Sequence, residues 1–546
     1  MKKNLLGIMV VVLASALMFI SCGSDDEPAK PEEPVKPQET TETTDMPKLE
    51  LDFESMSEWY LAAVKKCHPL IQQVWDSSAD PKKFNLLLVK ETKDKVYLIT
   101  PEGKREVKES EWTSGFRTAL QQLDAFSHIE FDGKYCTMIM CSMKRFEQID
   151  QALSMMGYKP FSDLEKACEN LALFYHESFH RYVQEGETRW SRDNTAYNRD
   201  NSYPIAYEPR IYRKLALFAL KKAWEDPSQK DVQYARAKYW TKKYEAAFPK
   251  EAEGIKSTDI VESTAEYFGR ALVHSAVPEY PLLYDIDTIN LTAKVDGESY
   301  MMSLAVNLLF RDGRQAEAIA TMSSGKMTPI NILLKDVAAP ANYNESQDAA
   351  DIGVIRTAMD KVWGSDSPFI QPVAQLIDLH KAGKAVYLVV PSKGGYYGSD
   401  GTFGLTEFSG LSCSVNFQTV EDDFEISGVT ILGYNGYFFI PIQTADNLTL
   451  TDETPVKAYP SNVYEITCDM KATLTAVNGV QGLTLSSLPM KVERGKDSLG
   501  NTYYLCTIPP NHDSNNIHLY SYPANFLQKS LKFAGNYLSP FRRQTT

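Results

Sequence analysis

Cysteine, histidine and long apolar runs are all scarce in this chain, and each scarcity excludes something. Of 546 residues only eight are cysteine and eight are histidine. No two cysteines stand in a CxxC pair, so a cysteine zinc site has no support. Cys67, Cys136, Cys141, Cys168, Cys413, Cys468 and Cys506 are an odd set spread over hundreds of residues. That is no disulfide framework, although one or two bridges are permitted outside the cytoplasm. Positive charge is also short: 57 Lys and Arg stand against 71 Asp and Glu, a formal net charge of −14. Binding to nucleic acid through bulk positive charge is therefore not expected. Beyond the first twenty residues no uncharged apolar run reaches the ~20 residues that a spanning helix needs. What remains is a globular composition, 43% hydrophobic and 23% charged, long enough for two to four domains.

The first residues are unlike the rest. Met1-Lys2-Lys3-Asn4 is basic, Leu5 to Ile20 is apolar, and Ser21-Cys22-Gly23 follows. The apolar run is short and ends in small residues, so 1–21 reads as a signal peptide. Residues 22–47, with Pro28, Pro31, Pro34, Pro37 and Pro47 among acids and threonines, cannot bury a core and read as an extended tether. Phe19-Ile20-Ser21-Cys22 resembles a bacterial lipobox, with Phe19 where Leu is usual. The resemblance implies lipidation of Cys22. The acidic Ser24-Asp25-Asp26-Glu27 behind it resembles lipoproteins of the Bacteroidetes, which implies an outer-membrane lipoprotein at the cell surface, held by its lipid alone. The competing reading is an ordinary secretory signal with an incidental cysteine.

Local signals then place the elements. Ser55-Met56-Ser57-Glu58 reads as a capping box opening a helix. Asn85–Val89 and Lys95–Thr100 read as strands, and Ile129–Cys141 as a strand or hairpin around Asp132-Gly133. A second capping box, Ser162-Asp163-Leu164-Glu165, opens a helix that Gly186 should end. Helices are expected at Pro209–Trp224, Asp231–Ala247, Thr258–Ser275, Ser299–Phe310 and Gln347–Trp363, with the Lys/Arg pairs of the first two on solvated faces. A further amphipathic stretch ends near Gly383. Leu411, Cys413, Val415 and Phe417 then alternate with polar residues, and Val429–Ile442 carries Asn435-Gly436 between apolar runs, a hairpin signal. Val463–Cys468, Met490–Glu493 and Tyr503–Ile508 continue the two-residue period. The expected fold is α+β: a mainly helical domain with a small sheet over 48–365, then a β-rich, sandwich-like domain over 366–546.

One pentapeptide carries chemistry: His176-Glu177-Ser178-Phe179-His180. Histidines at i and i+4 share one helix face, where their imidazoles can converge on one ion, and the glutamate between them is placed to handle a water there. This is HExxH inside a helix that is capped at its start. Zinc in a catalytic site usually takes three protein ligands. Val183 and Gly186 occupy the places where a metzincin continuation needs Gly and His. Glu262 and Glu266, four apart in the stretch Thr258–Ser275, offer one carboxylate as ligand and another as partner of a ligand histidine.

On these residues the stretch from Ser162 to Ser275 resembles the gluzincins, the thermolysin-like and aminopeptidase-like zinc peptidases. Ser263 stands where many of them have Gly. The resemblance implies zinc as the cofactor, His176, His180 and Glu262 as ligands, Glu177 as general base, Glu266 as the carboxylate behind a ligand, and a zincin-like fold acting on peptide or protein. Gluzincins also use a Tyr or His to stabilise the oxyanion, and Tyr203, Tyr267, His274 and Tyr300 are open candidates. His68, His128, His380, His512 and His518 have no partner pattern and read as incidental. Two other readings compete: an inactive surface lipoprotein that binds glycan or protein through its β domain, and a zinc hydrolase of non-peptide amides.

Overall fold

In the computed structural model the described residues are 46–121, 123, 125–147, 150, 159–186, 190–191, 202–203, 206–283, 297–365, 378–391, 401–405, 412–421, 424–433, 437–442, 448–450, 454–459, 463–467, 472–474, 483–485, 490–496 and 499–507. The signal peptide, Cys22 and nearly all of the tether lie outside them, as do the predicted domain boundary at 365/366, Asn435-Gly436, His512 and His518. The chain is α+β, mostly helical, with a five-stranded sheet near its start.

Helix α1 (Phe53–Cys67) begins one turn before the expected capping box, because Asp52 is the cap. The Asp52 carboxylate accepts from Ser55 N at 2.9 Å, while Ser55 Oγ accepts from Glu50 N at 2.8 Å. Strands β1 (Asn85–Lys90), β2 (Val96–Thr100), β3 (Gly103–Glu106), β4 (Phe126–Phe131) and β5 (Lys134–Cys141) form a sheet of order β3-β2-β1-β5-β4. Only β1 and β5 pair in parallel. The β4–β5 hairpin turns where the sequence signalled it, with φ of 54° at Asp132 and 66° at Gly133, the left-handed pair of a type I′ turn. Strand alternation divides the interior in two. Leu86, Leu88, Ile99 and Ile139 join the main core with α1, whereas Leu87, Val89, Leu98 and Met138 meet Phe116 and Leu120. The latter two belong to α2 (Ser114–Gln121), a short helix that, like β3, lacked a clear sequence signal.

The helical part opens with α3 (Asp163–Phe179), capped reciprocally as expected: Ser162 Oγ accepts from Glu165 N and Glu165 Oε2 accepts from Ser162 N. The helix continues as a π turn, His180–Gln184. Gly186 follows for reasons of space rather than of left-handed backbone, since a Cβ there would lie 2.6 Å from Tyr182 O. Next come α4 (Tyr207–Glu225), α5 (Lys230–Ala247) and α6 (Pro249–Ala276). Helix α6 starts well before the expected Thr258, with Pro249 in its first turn, where its missing N–H costs nothing. The expected helix Ser299–Phe310 is two, α7 (Gly297–Met301) and α8 (Ser303–Arg311), broken at Met302. Helices α9 (Gln315–Ser323) and α10 (Pro329–Leu333) were not anticipated, and α11 (Ala349–Trp363) was. One core of Trp59, Trp75, Phe179, Leu217, Phe268, Leu272 and Leu308 ties α1, α3, α4, α6 and α8 together.

Of the basic pairs in α4 and α5, Lys221-Lys222 and Lys242-Lys243 are exposed or half-buried as expected, but others correct the expectation of solvated faces. Arg210, Arg213, Lys214 and Arg236 are buried. Arg213 donates to both Asp259 oxygens and, through Nε, to Glu298; Arg236 bridges Asp348 and Asp351. Burial of a guanidinium requires such partners, and tertiary contacts supply them.

Beyond residue 385 the described residues, apart from 499–501, are strands: β7 (Val386–Pro391), β8 (Gly401–Leu405), β9 (Ser412–Glu421), β10 (Phe424–Gly433), β11 (Tyr437–Ile442), Thr454–Tyr459, Val463–Thr467, Met490–Lys496 and Thr502–Thr507 among them. They join one sheet in which β10 pairs with β11, Gly433 opposite Tyr437, as the hairpin signal predicts. The two-residue strand β6 (Ser202–Tyr203) adds to that sheet beside β8. Among the described cysteines, Cys67, Cys136, Cys141 and Cys168 are free and buried. No described helix is long and apolar enough to cross a membrane.

Candidate metal centre

Helix α3 brings His176 and His180 onto one face with their ring centroids 4.6 Å apart and their Nε2 atoms 2.9 Å apart. Helix α6 supplies Glu262, whose Oε2 lies 3.4 Å from His176 Nε2 and 3.3 Å from His180 Nε2. All three ligand atoms fall within 4.8 Å of one another. Three ligands around zinc at ~2.1 Å in a tetrahedron are separated by roughly 3.4 Å; both distances to Glu262 match this and the Nε2–Nε2 distance is shorter, so the donor set suits that ion with a small parting of the imidazoles. The sequence-predicted trio is thus brought together by two helices that are distant in the chain.

The faces of the imidazoles turned away from the cluster are also held. Glu266 Oε2 lies 3.2 Å from His176 Nδ1. His180 Nδ1 lies 2.7 Å from Gln184 Oε1. The Gln184 amide nitrogen donates to Val261 O at 2.9 Å and to Thr264 Oγ1 at 2.8 Å. A carbonyl can only accept, so the amide oxygen must face His180, and His180 Nδ1 must be the donor. Both histidines therefore carry hydrogen on Nδ1 and turn Nε2 toward Glu262, which leaves Nε2 as the atom free to bind a metal once any proton there is displaced. Sequence reasoning found Glu266 and missed Gln184. The only available signal was a glutamine four residues after the second histidine, and the π turn places it.

The buried charges shape one another. Burial opposes a charge on His176, but hydrogen bonds to Glu262 and Glu266 prevail and push it up to about 10. Glu262 is likewise buried, yet the neighbouring His180 and His176 hold it well below the usual carboxylate range. Glu266 is held down against its burial by Arg270 and His176. Glu177 goes the other way, raised by burial. It lines a small cavity with His176, Glu266 and Tyr300.

The four candidates for an oxyanion donor separate. Tyr300, on α7, stacks on His176 with centroids 5.5 Å apart and planes at 14°. Burial, then the charges of Glu262 and Glu177, raise its phenol well above the ordinary range. Tyr267 packs against Trp75 and Phe310 in the core, with its hydroxyl toward Val74 O. His274 Nδ1 is 2.6 Å from Tyr280 O at the end of α6. The side chain of Tyr203 lies outside the description. His128 is less isolated than expected: on β4 it bonds Thr137 Oγ1 at 3.1 Å, which in turn bonds Ser178 Oγ, inside the HExxH segment, at 2.8 Å. Burial, then the charges of Arg181 and His180, lower it to about 4. His68 and His380 bond Pro81 O and Asn501, away from the cluster.

Comparison with protein-family models, with curated proteins and with solved structures returns no match for this chain.

Proposed function

We propose that the chain is a zinc-dependent peptidase of the gluzincin type, with His176, His180 and Glu262 as the zinc ligands. The observation that carries this reading is the convergence of those three side chains, with both imidazoles held at Nδ1 by Glu266 and Gln184. A zinc ion there supplies Lewis acidity, lowering the pKa of water and polarising a carbonyl. Glu177, raised by burial, is poised to take a proton from water and return it to the leaving amine. Tyr300, beside His176, is the candidate donor to the developing oxyanion.

A peptide substrate is favoured over other amides by β4. It is one of the two edge strands of the five-stranded sheet, unpaired on its outer side among the described residues, and Phe126 on it is 40% exposed. Its His128 stands 5.9 Å from the Tyr182 ring of the metal-bearing segment. An open edge is a template on which an extended peptide adds as a further strand. We further propose lipidation at Cys22 and residence at the outer membrane, facing the cell exterior. On this reading 366–546 is a sandwich-like module that binds glycan or protein.

Metal analysis of the purified chain tests the centre: one zinc per chain, lost in His176→Ala, His180→Ala and Glu262→Ala and retained in Glu177→Gln. Glu177→Gln should lose several orders of magnitude in turnover on a peptide library. Retained stoichiometric zinc in Glu262→Ala would remove the ligand assignment. Cys22→Ser should release the protein from membranes.

A further inference from the structure

Behind Glu266 the structure continues. Helix α6 carries Glu262, Glu266 and Arg270 at successive i+4 positions, so all three lie along one face. The Arg270 Nε donates to Glu266 Oε1 at 2.5 Å, leaving Glu266 Oε2 to His176 Nδ1 at 3.2 Å. The Nη2 of the same guanidinium reaches both oxygens of Glu169, at 3.0 and 3.1 Å. Glu169 stands two turns before His176 on α3. The Tyr280 ring covers the guanidinium with its centroid 5.2 Å away. The Arg270 side chain is 1% exposed, Glu169 7% and Glu266 13%. This buried chain of contacts runs from one helix to the other and back to the metal-facing histidine.

We infer that Arg270 is a positioning residue of the zinc centre: it fixes the Glu266 carboxylate so that one oxygen faces His176 Nδ1, and Glu169 fixes Arg270. The inference rests on the proposed zinc site. A glutamate that receives a single hydrogen bond can still turn about its terminal torsion and swap or tilt its oxygens. With each oxygen engaged by a different donor, that rotation is closed. Only a planar fork does this, since Nε and Nη2 point along fixed directions to two carboxylates at once. A lysine offers one ammonium and cannot reproduce both bonds. Glu169 does no chemistry in the proposed reaction, lies in the first half of the HExxH helix, and is buried. Its place is accounted for as the partner that holds the guanidinium: burial pushes Glu169 up to about 7, and the neighbouring Arg270 charge and hydrogen bond pull it back toward the ionised form. The predicted metal affinity therefore depends on residues that touch neither the metal nor its ligands.

Zinc dissociation constants, measured on the full chain by competition with a chromophoric chelator, test this. Arg270→Lys keeps the charge and should weaken zinc about 10-fold, and the paired change Arg270→Leu with Glu169→Leu, which removes the guanidinium together with its second carboxylate partner, about 10- to 100-fold. In protein labelled with ¹⁵N-histidine, the Nδ1–H signal that disappears in His176→Ala should exchange faster with water in both variants. Arg236→Lys, which disturbs another buried pair, should leave zinc affinity and that signal unchanged. If either Arg270 variant that folds binds zinc as the parent chain does, the inference is wrong. An equal loss in Arg236→Lys would also overturn it, since general loosening would then explain the result. Failure of the parent chain itself to bind zinc would instead remove the proposed function.

Discussion

A Cβ on Gly269 would lie 2.6 Å from the carbonyl oxygen of Ala172 and 3.3 Å from the amide nitrogen of His176. Helices α3 and α6 therefore touch backbone to backbone, and no side chain intervenes. Glu262 and Glu266 stand on the same helix as Gly269, so this contact sets the distance between the histidines and the carboxylates.

Replacing Gly269 by alanine should separate the two helices by driving a methyl group into unyielding backbone. Overpacking of that kind costs about 1–3 kcal/mol. Lower thermal stability and weaker zinc binding are expected together, in a competition assay and a melt on the same sample. Unchanged zinc affinity in Gly269→Ala would mean that the helices can part without opening the centre.

Gln184→Leu removes the acceptor that holds His180 Nδ1–H. Free rotation and the other tautomer then become accessible to His180, and zinc affinity should fall about 10-fold or more. Gln184→Glu keeps an acceptor for the imidazole but loses the donor to Val261 O and Thr264 Oγ1. The two variants should differ, with the glutamate retaining more zinc. Equal binding in both would exclude a role for the imidazole contact.

The raised His176 makes zinc binding depend on pH with a definite sign. At about 10 in the metal-free chain it holds its proton at neutral pH, so zinc must displace that proton. Affinity should rise with pH by about tenfold per unit across the neutral range, and calorimetry in buffers of different ionisation enthalpy should register at least about one proton released. For the metal-free fold the same shift adds stability that is fully present below the ordinary histidine value and lost as pH rises through about 10. Zinc binding with no proton uptake by the buffer at pH 7 would contradict this.

Tyr300→Phe keeps the ring and its stacking on His176 but removes the hydroxyl's hydrogen bond to Glu262, so zinc should still bind with one ion per chain and with at most a modest loss of affinity. On a peptide substrate kcat should drop by about 10²–10³, the usual consequence of losing one oxyanion donor. A change confined to KM would assign the hydroxyl to substrate binding instead.

The parts of the site that were legible in the sequence are those separated by one helical turn. His176 and His180 must share a face once Ser162 has started a helix through them, and the same holds for Glu262 and Glu266. The Asp132-Gly133 hairpin was legible for the same reason, since its two positive φ values are local demands. Helix α1 shows the limit of such signals: Asp52 and Ser55 are both good caps, and only the path of the preceding chain, through Glu50, chooses between them.

Sequence by itself determined the residue types of the proposed zinc site, their pairing along each helix and the helical-then-β-rich order of the chain, because these follow from periodicity and capping within a few residues. Tertiary structure decided which side chains complete the site. Gln184 reaches His180 through a π turn, Tyr300 is seated on α7 over His176, and Arg270 meets Glu169 across the α3–α6 contact. Each of these joins atoms brought together by packing or by a local change of helical pitch. Burial is also what turned the arginines of α4 and α5 from expected surface charges into internal ties, since a guanidinium enters the interior only where distant carboxylates such as Asp259 and Glu298 meet it.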